Sequence, residues 1–248
     1  MPARPLSFLL LAAFSLGACA SASAPPAAPP ETAPALAAAP PAFPDPALAN
    51  GAGAGVYTLD KSHASLVFAA DHLGFSNYVG QFTRFDATLT IDPAAPEAAT
   101  LTATIDPTSL TIPSPPEGFL ETLLGPDWFN AAAFPELTFT STQIRQTGPS
   151  DAEVTGNLTF LGATLPVTFS ARFNGAYPGY PHYDPNARAG FRASGSLSRS
   201  AFGMTYGLPP EGSTMGVGDE VKFWIDAEFT GPPAPETATP DMPAPEAP

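Results

Sequence analysis

Apolar and polar residues alternate with a period of two through most of the chain between residues 56 and 230. The clearest runs are 165–173 and 221–229, in which every second residue is apolar. Such alternation is typical of β-strands that bury one face. Short turn signals separate the runs, and one of them, Leu161–Thr164, predicts a tight hairpin. We therefore expect about eight antiparallel strands in one all-β domain, which either close into a barrel or stack as a sandwich.

The interior of such a domain can be filled or hollow, because an eight-stranded barrel either packs its own side chains or encloses one small ligand. The chain contains 18 phenylalanines, and the predicted strands contain few charges. In the run 64–71 both alternating sets include apolar residues, so this strand is expected to be covered on both faces. The aromatic content favours a lined lumen together with an outer core.

Residues 116–130 depart from the period of two. Apolar residues recur there at helical spacing, namely Phe119, Leu120, Leu123 and Leu124. Pro126 then stops or bends the segment, and Trp128 and Phe129 continue its apolar character. We predict a short amphipathic helix, which either lies over a barrel mouth as a lid or plugs one end of the core.

The N-terminus has the features of a secretory signal. Arg4 precedes an apolar run over residues 6–14, which is too short to span a bilayer because a spanning helix needs about 20 apolar residues. The following Leu16–Cys19 resembles a bacterial lipobox, which predicts a lipoprotein signal peptide over residues 1–18 and lipidation of Cys19. The alternative is an ordinary signal that is cleaved a little beyond this cysteine.

Lipidation of Cys19 would place the protein in the bacterial envelope. Stable anchoring takes more than one acyl chain, which a triacylated cysteine supplies. Lipoproteins that stay in the inner membrane favour aspartate after the cysteine, whereas Ala20 stands here. We therefore expect a membrane-anchored protein on the periplasmic side, at the outer membrane rather than the inner one.

Alanine and proline dominate both ends of the chain, in residues 19–55 and 231–248. Such segments cannot bury enough apolar surface to offset their chain entropy. The sequence therefore predicts an Ala/Pro-rich tether after the signal peptide, a barrel domain over residues 56–230, and a disordered Pro/Glu tail.

The charge and cysteine content exclude some classes of protein. The formal net charge is −14, so a phosphate backbone would be repelled and nucleic acid is not expected as a partner. The single cysteine excludes an intramolecular disulfide, so the domain depends on its core for stability.

A series of short segments, in order along the chain, resembles the YceI-like family. The resemblance covers about Tyr57 to Phe229. It is carried by Tyr57–Phe68, His72–Ser76, Gly80–Phe82, Phe134–Thr142, Gly156–Thr159, Gly162–Thr164, Ser198–Met204 and Val217–Val221. It implies an eight-stranded, lipocalin-like antiparallel barrel that encloses a long isoprenoid chain in the bacterial envelope. Family members often carry an Arg-Asp pair and a histidine in the central helical segment, whereas Pro116–Leu120 here predicts a more apolar mouth.

An isoprenoid ligand would need a long, dry pocket with few polar groups at one end. The candidates for its lining in the strands are Leu66, Phe68, Phe82, Phe139, Leu158, Phe160, Phe169 and Phe223, and those in the lid are Phe119, Leu123 and Trp128. His72 is the candidate for contact with the ligand head group. The sequence does not decide which phase of each strand faces inward.

The sequence contains no recognisable catalytic or metal signature. His63 and His72 do not have the spacing of a common metal site, and His182 falls in a predicted loop. No metal and no cofactor are expected. Arg199 could neutralise an anionic head group, but an ion pair with Asp219 is the preferred prediction.

Three function classes remain open from the sequence. The first is a non-enzymatic carrier of a polyprenol, a polyprenyl phosphate or an isoprenoid quinone. The second is a lipid-modifying enzyme, which would use His72 with Ser76 or Asp71, and the third is a structural envelope lipoprotein with a filled barrel. The sequence does not define the oligomeric state, and a homodimer is one possibility.

Overall fold

The computed structural model describes residues 51–179 and 184–233. The predictions for the signal peptide, Cys19 and the tether up to residue 50 concern parts of the chain outside these residues. The same holds for His182 and for the tail from residue 234. These predictions therefore stay untested by the fold.

The described residues form ten strands and one α-helix. In chain order the strands are β1 Gly55–His72, β2 Ser76–Phe82, β3 Phe85–Ile91, β4 Thr100–Ile105, β5 Leu110–Thr111, β6 Leu137–Gln146, β7 Asp151–Phe160, β8 Ala163–Tyr177, β9 Asn186–Ser198 and β10 Val217–Pro233. The helix, α1, spans Phe119–Leu124.

The ten strands occupy eight positions in a closed antiparallel barrel. The sheet order is β10-β9-β8-β7-β6-β4-β3-β1-β2-β5, and the pairing of β1 with β10 closes it. The successive strands β2 and β3 pair with the two halves of β1, so they are one barrel strand interrupted at Thr83 and Arg84. The strands β4 and β5 are related in the same way. The prediction of an all-β, eight-stranded antiparallel barrel with a short helix is confirmed.

Strand β1 carries a bulge that the alternation did not predict. Leu59 pairs with Phe229 and Ala64 pairs with Ala227, so residues 60–63 stand opposite a single residue of β10, Glu228. A bulge of this kind leaves its extra residues unpaired and turns them away from the ladder. It projects the polar run Asp60–His63 outward and returns Ala64 to the phase of the interior.

The hairpin at Leu161 and Gly162 has the predicted two-residue loop. Phe160 pairs with Ala163 across it. Both loop residues have positive φ, at 50° for Leu161 and 78° for Gly162, as a type I′ turn requires. An added Cβ at Gly162 would also lie 3.0 Å from the ring of Phe134, so glycine fits this position for two reasons.

The strands bury mainly one face. The inward phase carries the apolar residues, whereas serine and threonine dominate the outward phase and pair across strands, as in Thr155 with Thr168 and Thr159 with Thr164. The expected outer core was therefore wrong. The two-sided burial of residues 64–71 holds in part, because Ala69 belongs to the outward phase and is only 4% exposed, whereas Ser65 and Asp71 are exposed. A closed sheet has a single interior, and in the described residues nothing packs on the outside of this wall as a second layer.

Helix α1 is shorter than the predicted segment. It follows Gly118, whose φ is 73°, and it ends where the amide of Gly125 donates to the carbonyl of Thr122. Pro126 then turns the chain, and the amide of Phe129 donates back to the carbonyl of Leu123. The helix and the following turns pack on the interior through Leu123. Within the described residues, no helix is long and apolar enough to cross a membrane.

Antiparallel order places the connections at two opposite ends of the barrel. The lid end contains residues 72–76, 111–137, 160–163 and 198–217. The base contains residues 91–100 and 146–151, the described residues 177–179 and 184–186 between β8 and β9, and both described chain ends. Strand β10 continues to Pro233, which pairs with Asn186, so residues 231–233 belong to the barrel although the sequence placed them in the tail.

Candidate functional site

The barrel encloses a cavity of about 670 Å³. Its wall includes inward side chains from every barrel strand, and it extends from His72 at the lid end to Asp92 at the base. This volume lies within the range of about 300–1,000 Å³ that ligand sites commonly have. The lumen is therefore hollow and is lined almost entirely by apolar side chains.

Every ligand-binding candidate from the sequence lies on the wall of this cavity. The strand residues found there are Leu66, Phe68, His72, Phe82, Phe139, Leu158, Phe160, Phe169 and Phe223, and the lid residues are Phe119, Leu123 and Trp128. The structure thus brings all of them together. Their contact with a ligand stays a prediction.

The candidate list omitted many wall residues. Those with large side chains include Phe85, Leu89, Ile91, Ile105, Phe129, Ile144, Phe173, Phe191, Ile225 and Phe229. Most of them continue the alternation of a strand that was already recognised. A signal was therefore present, and extending each inward phase to the end of its strand would have found them.

Phenylalanine rings form three groups along the lumen. Nearest the lid end, Phe129 packs edge-on against Phe82, with ring centroids 5.6 Å apart. In the middle, Phe169 packs against Phe223 at 5.9 Å. At the base, the rings of Phe173 and Phe191 are 5.4 Å apart. These contacts hold the rings against one another, so the wall is aromatic along the whole cavity.

Lumen-facing glycines allow some of these rings to lie along the wall. A Cβ added at Gly80 would lie 2.5 Å from Cζ of Phe68, and one added at Gly195 would lie 2.8 Å from Cζ of Phe223. Both glycines stand directly opposite these phenylalanines on the neighbouring strand. Each ring therefore occupies the space of the missing side chain, which keeps the ring out of the centre of the lumen.

Few polar groups reach the lumen at the lid end. The ring of His72 lies beside that of Tyr78, with centroids 5.9 Å apart, and Tyr78 packs edge-on against Phe119. Both polar side chains are half-buried and line the cavity. Within the described residues neither makes a side-chain hydrogen bond, so both can bond to a ligand.

Arg199 is the other polar residue at this end, and its charge is already engaged. The side chain is 2% exposed, and its guanidinium donates to the carbonyls of Gly218, Met204, Tyr206 and Val217 at 2.8–2.9 Å. Burial lowers the pKa of Arg199, against the opposing effect of nearby Asp219. An arginine stays protonated in any case, so this cation ties the 198–217 connection together.

The predicted ion pair between Arg199 and Asp219 was therefore wrong, because backbone carbonyls and not Asp219 bind the guanidinium. The Asp219 carboxylate instead accepts from the hydroxyl of Ser198 and from the amide of Ser200. Backbone carbonyls satisfy the guanidinium because the connection wraps around it. Sequence reasoning had no signal for this arrangement.

The base of the lumen is acidic. Asp92, Glu97 and Asp151 line the cavity there, together with Gln146 and Ser150. Glu97 accepts a hydrogen bond from the amide of Gln146, and Asp151 forms a 3.5 Å ion pair with Arg172. An anionic group in the lumen would face these carboxylates at the base.

A second polar cluster lies outside the lumen, at the β1 bulge. Ligand atoms of Asp60, His63 and Glu228 lie within 4.8 Å of one another, which is close enough to hold a metal ion. The Asp60 carboxylate, however, already accepts from His63 and from the guanidinium of Arg188. His63 is therefore hydrogen-bonded, and a neighbouring arginine opposes a cation at this cluster.

These bonds shift the pKa values of the cluster. The hydrogen bond from His63, followed by that from Arg188, lowers the pKa of Asp60 to about 2. The same contact with Asp60 raises the pKa of His63. Close by, burial and a hydrogen bond to Asp184 raise the pKa of Tyr177 to about 12. The cluster therefore acts as an ion-pair network that joins β1 to β9 at the base of the barrel.

A closed eight-stranded antiparallel barrel with an apolar lumen and a helical lid defines a lipocalin-like barrel protein. The model of the YceI-like domain matches residues 57–229, and the chain therefore belongs to the YceI-like family. Protein YceI of Salmonella arizonae is 36% identical over 165 residues, which cover 65% of this chain and 82% of that protein.

Solved structures of similar proteins have the same fold. The crystal structure of Burkholderia cenocepacia BcnA matches with a TM-score of 0.57 and 25% identity, over 68% of this chain and 98% of that one. The YceI protein of Campylobacter jejuni gives 0.54 and 26%, over 64% and 88% of the two chains. A polyisoprenoid-binding domain from Saccharophagus degradans gives 0.51 over 71% and 98%, and at 12% identity it shows the shared fold alone.

Proposed function

We propose that this protein binds one long isoprenoid lipid in the barrel lumen and carries or sequesters it without chemical change. The observation that carries the proposal is the continuous apolar cavity of about 670 Å³. An isoprenoid chain is almost wholly apolar, and its burial contributes roughly 25 cal/mol per Å². Membership of the YceI-like family and the name of the Saccharophagus degradans relative support the choice of an isoprenoid.

The charges around the lumen favour a neutral head group, such as a quinone or an alcohol, over a phosphate. The only arginine on the wall, Arg199, is engaged by four carbonyls, and no lysine lines the cavity in the described residues. A buried phosphate without a cation would carry a desolvation cost of several kcal/mol. His72 and Tyr78 at the lid end can bond to a carbonyl or hydroxyl oxygen, so we place the head group there.

The other two function classes have less support. A filled barrel would leave no cavity of this size. An enzyme would need the side chain of His72 joined to a nucleophile or a second acid, and within the described residues no side-chain hydrogen bond joins it to Asp71 or Ser76. We therefore propose no catalytic step.

We also propose that Cys19 is lipidated and holds the protein on the periplasmic side of the envelope, at the outer membrane. This proposal rests on the lipobox-like Leu16–Cys19 and on Ala20 after it. The mass of the mature chain tests it, because lipidation adds acyl chains and leaves Cys19 as the first residue. A chain that begins beyond Cys19 would contradict it.

The experiment that tests lipid binding is native mass spectrometry with lipid extraction on the full chain from a bacterial host. We expect one neutral isoprenoid per barrel. The same spectra give the oligomeric state, for which a homodimer stays a prediction. A protein that is empty and that also rejects added polyprenols and quinones would contradict the proposal.

A pair of adjacent substitutions sharpens this test. Phe169→Glu places a carboxylate against the apolar chain and should lower lipid occupancy roughly tenfold. Thr168→Glu is the matched control, because Thr168 is exposed on the outer face of the same strand and should leave occupancy unchanged. Unchanged occupancy in a folded Phe169→Glu variant would remove Phe169 from the binding site.

A further inference from the structure

The three most exposed large apolar side chains of the described residues all lie at the lid end. Phe75 is 81% exposed, Met215 is 62% exposed and Tyr206 is 56% exposed. Isolated exposed apolar residues need no explanation, but apolar residues that gather in one place mark an interaction site.

Backbone hydrogen bonds join the segments that carry them around the mouth of the lumen. The amide of Val217 donates to the carbonyl of Gly207 at 2.7 Å, which couples the segment of Met215 to that of Tyr206. The amide of Leu73 donates to the carbonyl of Gly216 at 2.9 Å, which couples the β1–β2 hairpin to the segment that carries Met215. The ring of Tyr206 packs on Trp128, with centroids 5.6 Å apart. Trp128 in turn lines the cavity. We call Leu73, Phe75, Trp128, Tyr206 and Met215 the apolar rim.

The hairpin holds Phe75 outward by its own bonds. Leu73 has a φ of 60°, which is unfavourable for leucine, and Gly74 follows with a φ of 72°. The turn is fixed because the Asp71 carboxylate accepts from the amide of Gly74, and the amide of Phe75 donates to the carbonyl of His72. The exposure of Phe75 is therefore a property of an ordered turn.

The charges at the lid end restrict what can cover the rim. Its connections contain no lysine, and their one arginine, Arg199, is buried. Exposed carboxylates stand there instead, among them Glu117, Glu121 and Glu211. An anionic surface would be repelled, so the occupant has to be apolar and free of net negative charge.

We propose that the apolar rim docks the lid end onto a lipid bilayer with net-neutral head groups. The rim surrounds the opening of an apolar lumen, so docking lets a lipid pass between the bilayer and the barrel without crossing water. Tyr206 has the amphipathic ring that is common at the level of lipid head groups. The reason for docking rests on the proposed function, whereas the binding to vesicles can be measured independently of it.

The attachment of the chain is compatible with this orientation. Both described chain ends, Gly51 and Pro233, lie at the base, so neither end of the barrel domain occupies the rim. Residues 20–50 separate the barrel from Cys19, and a segment of this length can span at most roughly 100 Å. A barrel tethered at its base can therefore still turn its lid end toward the same membrane.

The test uses residues 51–233 as purified protein, which avoids binding through the N-terminus. This part is a closed barrel with its own core, and the BcnA crystal structure is 98% covered by the match, so a barrel of this kind folds on its own. Binding is measured by co-sedimentation with vesicles of phosphatidylcholine. We expect the double variant Phe75→Ser/Met215→Ser to lower the bound fraction roughly tenfold.

The matched control is Val56→Ser/Trp224→Ser, whose side chains are 55% and 44% exposed away from the rim. It should bind as the parent does, and vesicles that contain phosphatidylglycerol should bind less of both. The chain contains two tryptophans, so Trp224→Ser also leaves Trp128 as the single one. Brominated phosphatidylcholine should then quench Trp128, and the rim substitutions should abolish the quenching.

Several outcomes would overturn the inference. The parent protein could fail to bind neutral vesicles, or a folded rim variant could bind them as well as the parent does. Native mass spectra could also show a dimer that the rim substitutions dissociate. The last outcome would make the rim an interface between two copies. Vesicle docking by a protein whose lumen rejects isoprenoids would support the inference while contradicting the proposed function, so the two failures are distinguishable.

Discussion

The two ends of the barrel are held closed by different interactions. At the lid end, one buried cation, Arg199, gathers four backbone carbonyls, and the surface around it is apolar and acidic. At the base, Asp60, Arg188, Asp184 and Tyr177 form a network of ion pairs and hydrogen bonds. The charge that organises the lid end, that of Arg199, therefore does not change with pH, whereas the base should weaken in acid as Asp60 is protonated. Against the raising effect of burial, hydrogen bonds from Ser198 and Ser200 lower the pKa of Asp219, so acid also removes these contacts at the lid end.

The difference also separates two roles. The base joins distant strands through charged side chains, and its acidic groups make it unsuitable for an anionic ligand. The lid end has few charges to stabilise it, and its aromatic rings and apolar rim surround the opening of the lumen. We infer that charged side chains fasten the base, whereas the lid end, which Arg199 holds together, admits the ligand.

The largest expected effect concerns the lid end. Arg199→Met would remove the donor from four carbonyls, of which that of Met204 is buried and the others are partly buried, and should lower the free energy of unfolding by about 4 kcal/mol. Urea denaturation of the variant and the parent measures the difference. Arg192→Met is the control, because Arg192 and Asp226 form an ion pair whose side chains are 67% and 52% exposed, and its loss should cost under about 1 kcal/mol. Equal costs would show that Arg199 does not organise this end.

The second prediction concerns the base. Because the pKa of Asp60 falls from 3.8 to about 2 on folding, its carboxylate stabilises the barrel above pH 3.8 and loses this effect as the pH falls through about 2. Asp60→Asn should remove on the order of 2 kcal/mol at neutral pH and flatten the acid dependence. Urea midpoints over this pH range measure both.

The control for the base is Asp226→Asn, whose exposed ion pair with Arg192 should contribute little. Its loss of stability at neutral pH should be under about 1 kcal/mol. An Asp60→Asn variant with an unchanged acid slope would place the acid-sensitive group elsewhere, and the contrast between the two ends would lose its basis.

The smallest expected effect concerns the bore of the lumen near the lid end. Gly80→Ala should push the ring of Phe68 toward the centre, since the new Cβ would lie 2.5 Å from its Cζ. We expect a loss of about 1 kcal/mol in stability and roughly threefold lower lipid occupancy. Lipid extraction and urea denaturation measure the two effects. At Gly53 an added Cβ meets nothing within 4 Å, so Gly53→Ala should change neither value.

The sequence predicted the strands because their alternation is local. Each strand in 165–173 and 221–229 carries its own apolar face, and the Leu161–Thr164 turn needs only its own residues. The choice of Phe169 and Phe223 as lining residues follows from the same phase. The helix at 119–124 was also visible, because its apolar spacing and Pro126 are local features.

Other features depend on residues far apart in the sequence. Asp60 and Arg188 are 128 positions apart, and the bulge that brings Asp60 to Arg188 is visible only when β1 pairs with β10. The carbonyls around Arg199 converge because the connection folds back on itself. The periodicity of the sequence does not predict contacts between such distant residues, so the sequence analysis paired Arg199 with Asp219 instead.

The sequence by itself thus determined the class of fold, the family and the supply of apolar side chains. Only the tertiary structure decided that one phase of every strand faces a common, hollow interior and that most of the other phase faces water. The physical reason is closure: a strand can present either face, and the inward face is fixed only when all eight barrel positions join. Closure likewise decided that glycines opposite phenylalanines leave the lumen open, since neither residue defines a cavity on its own.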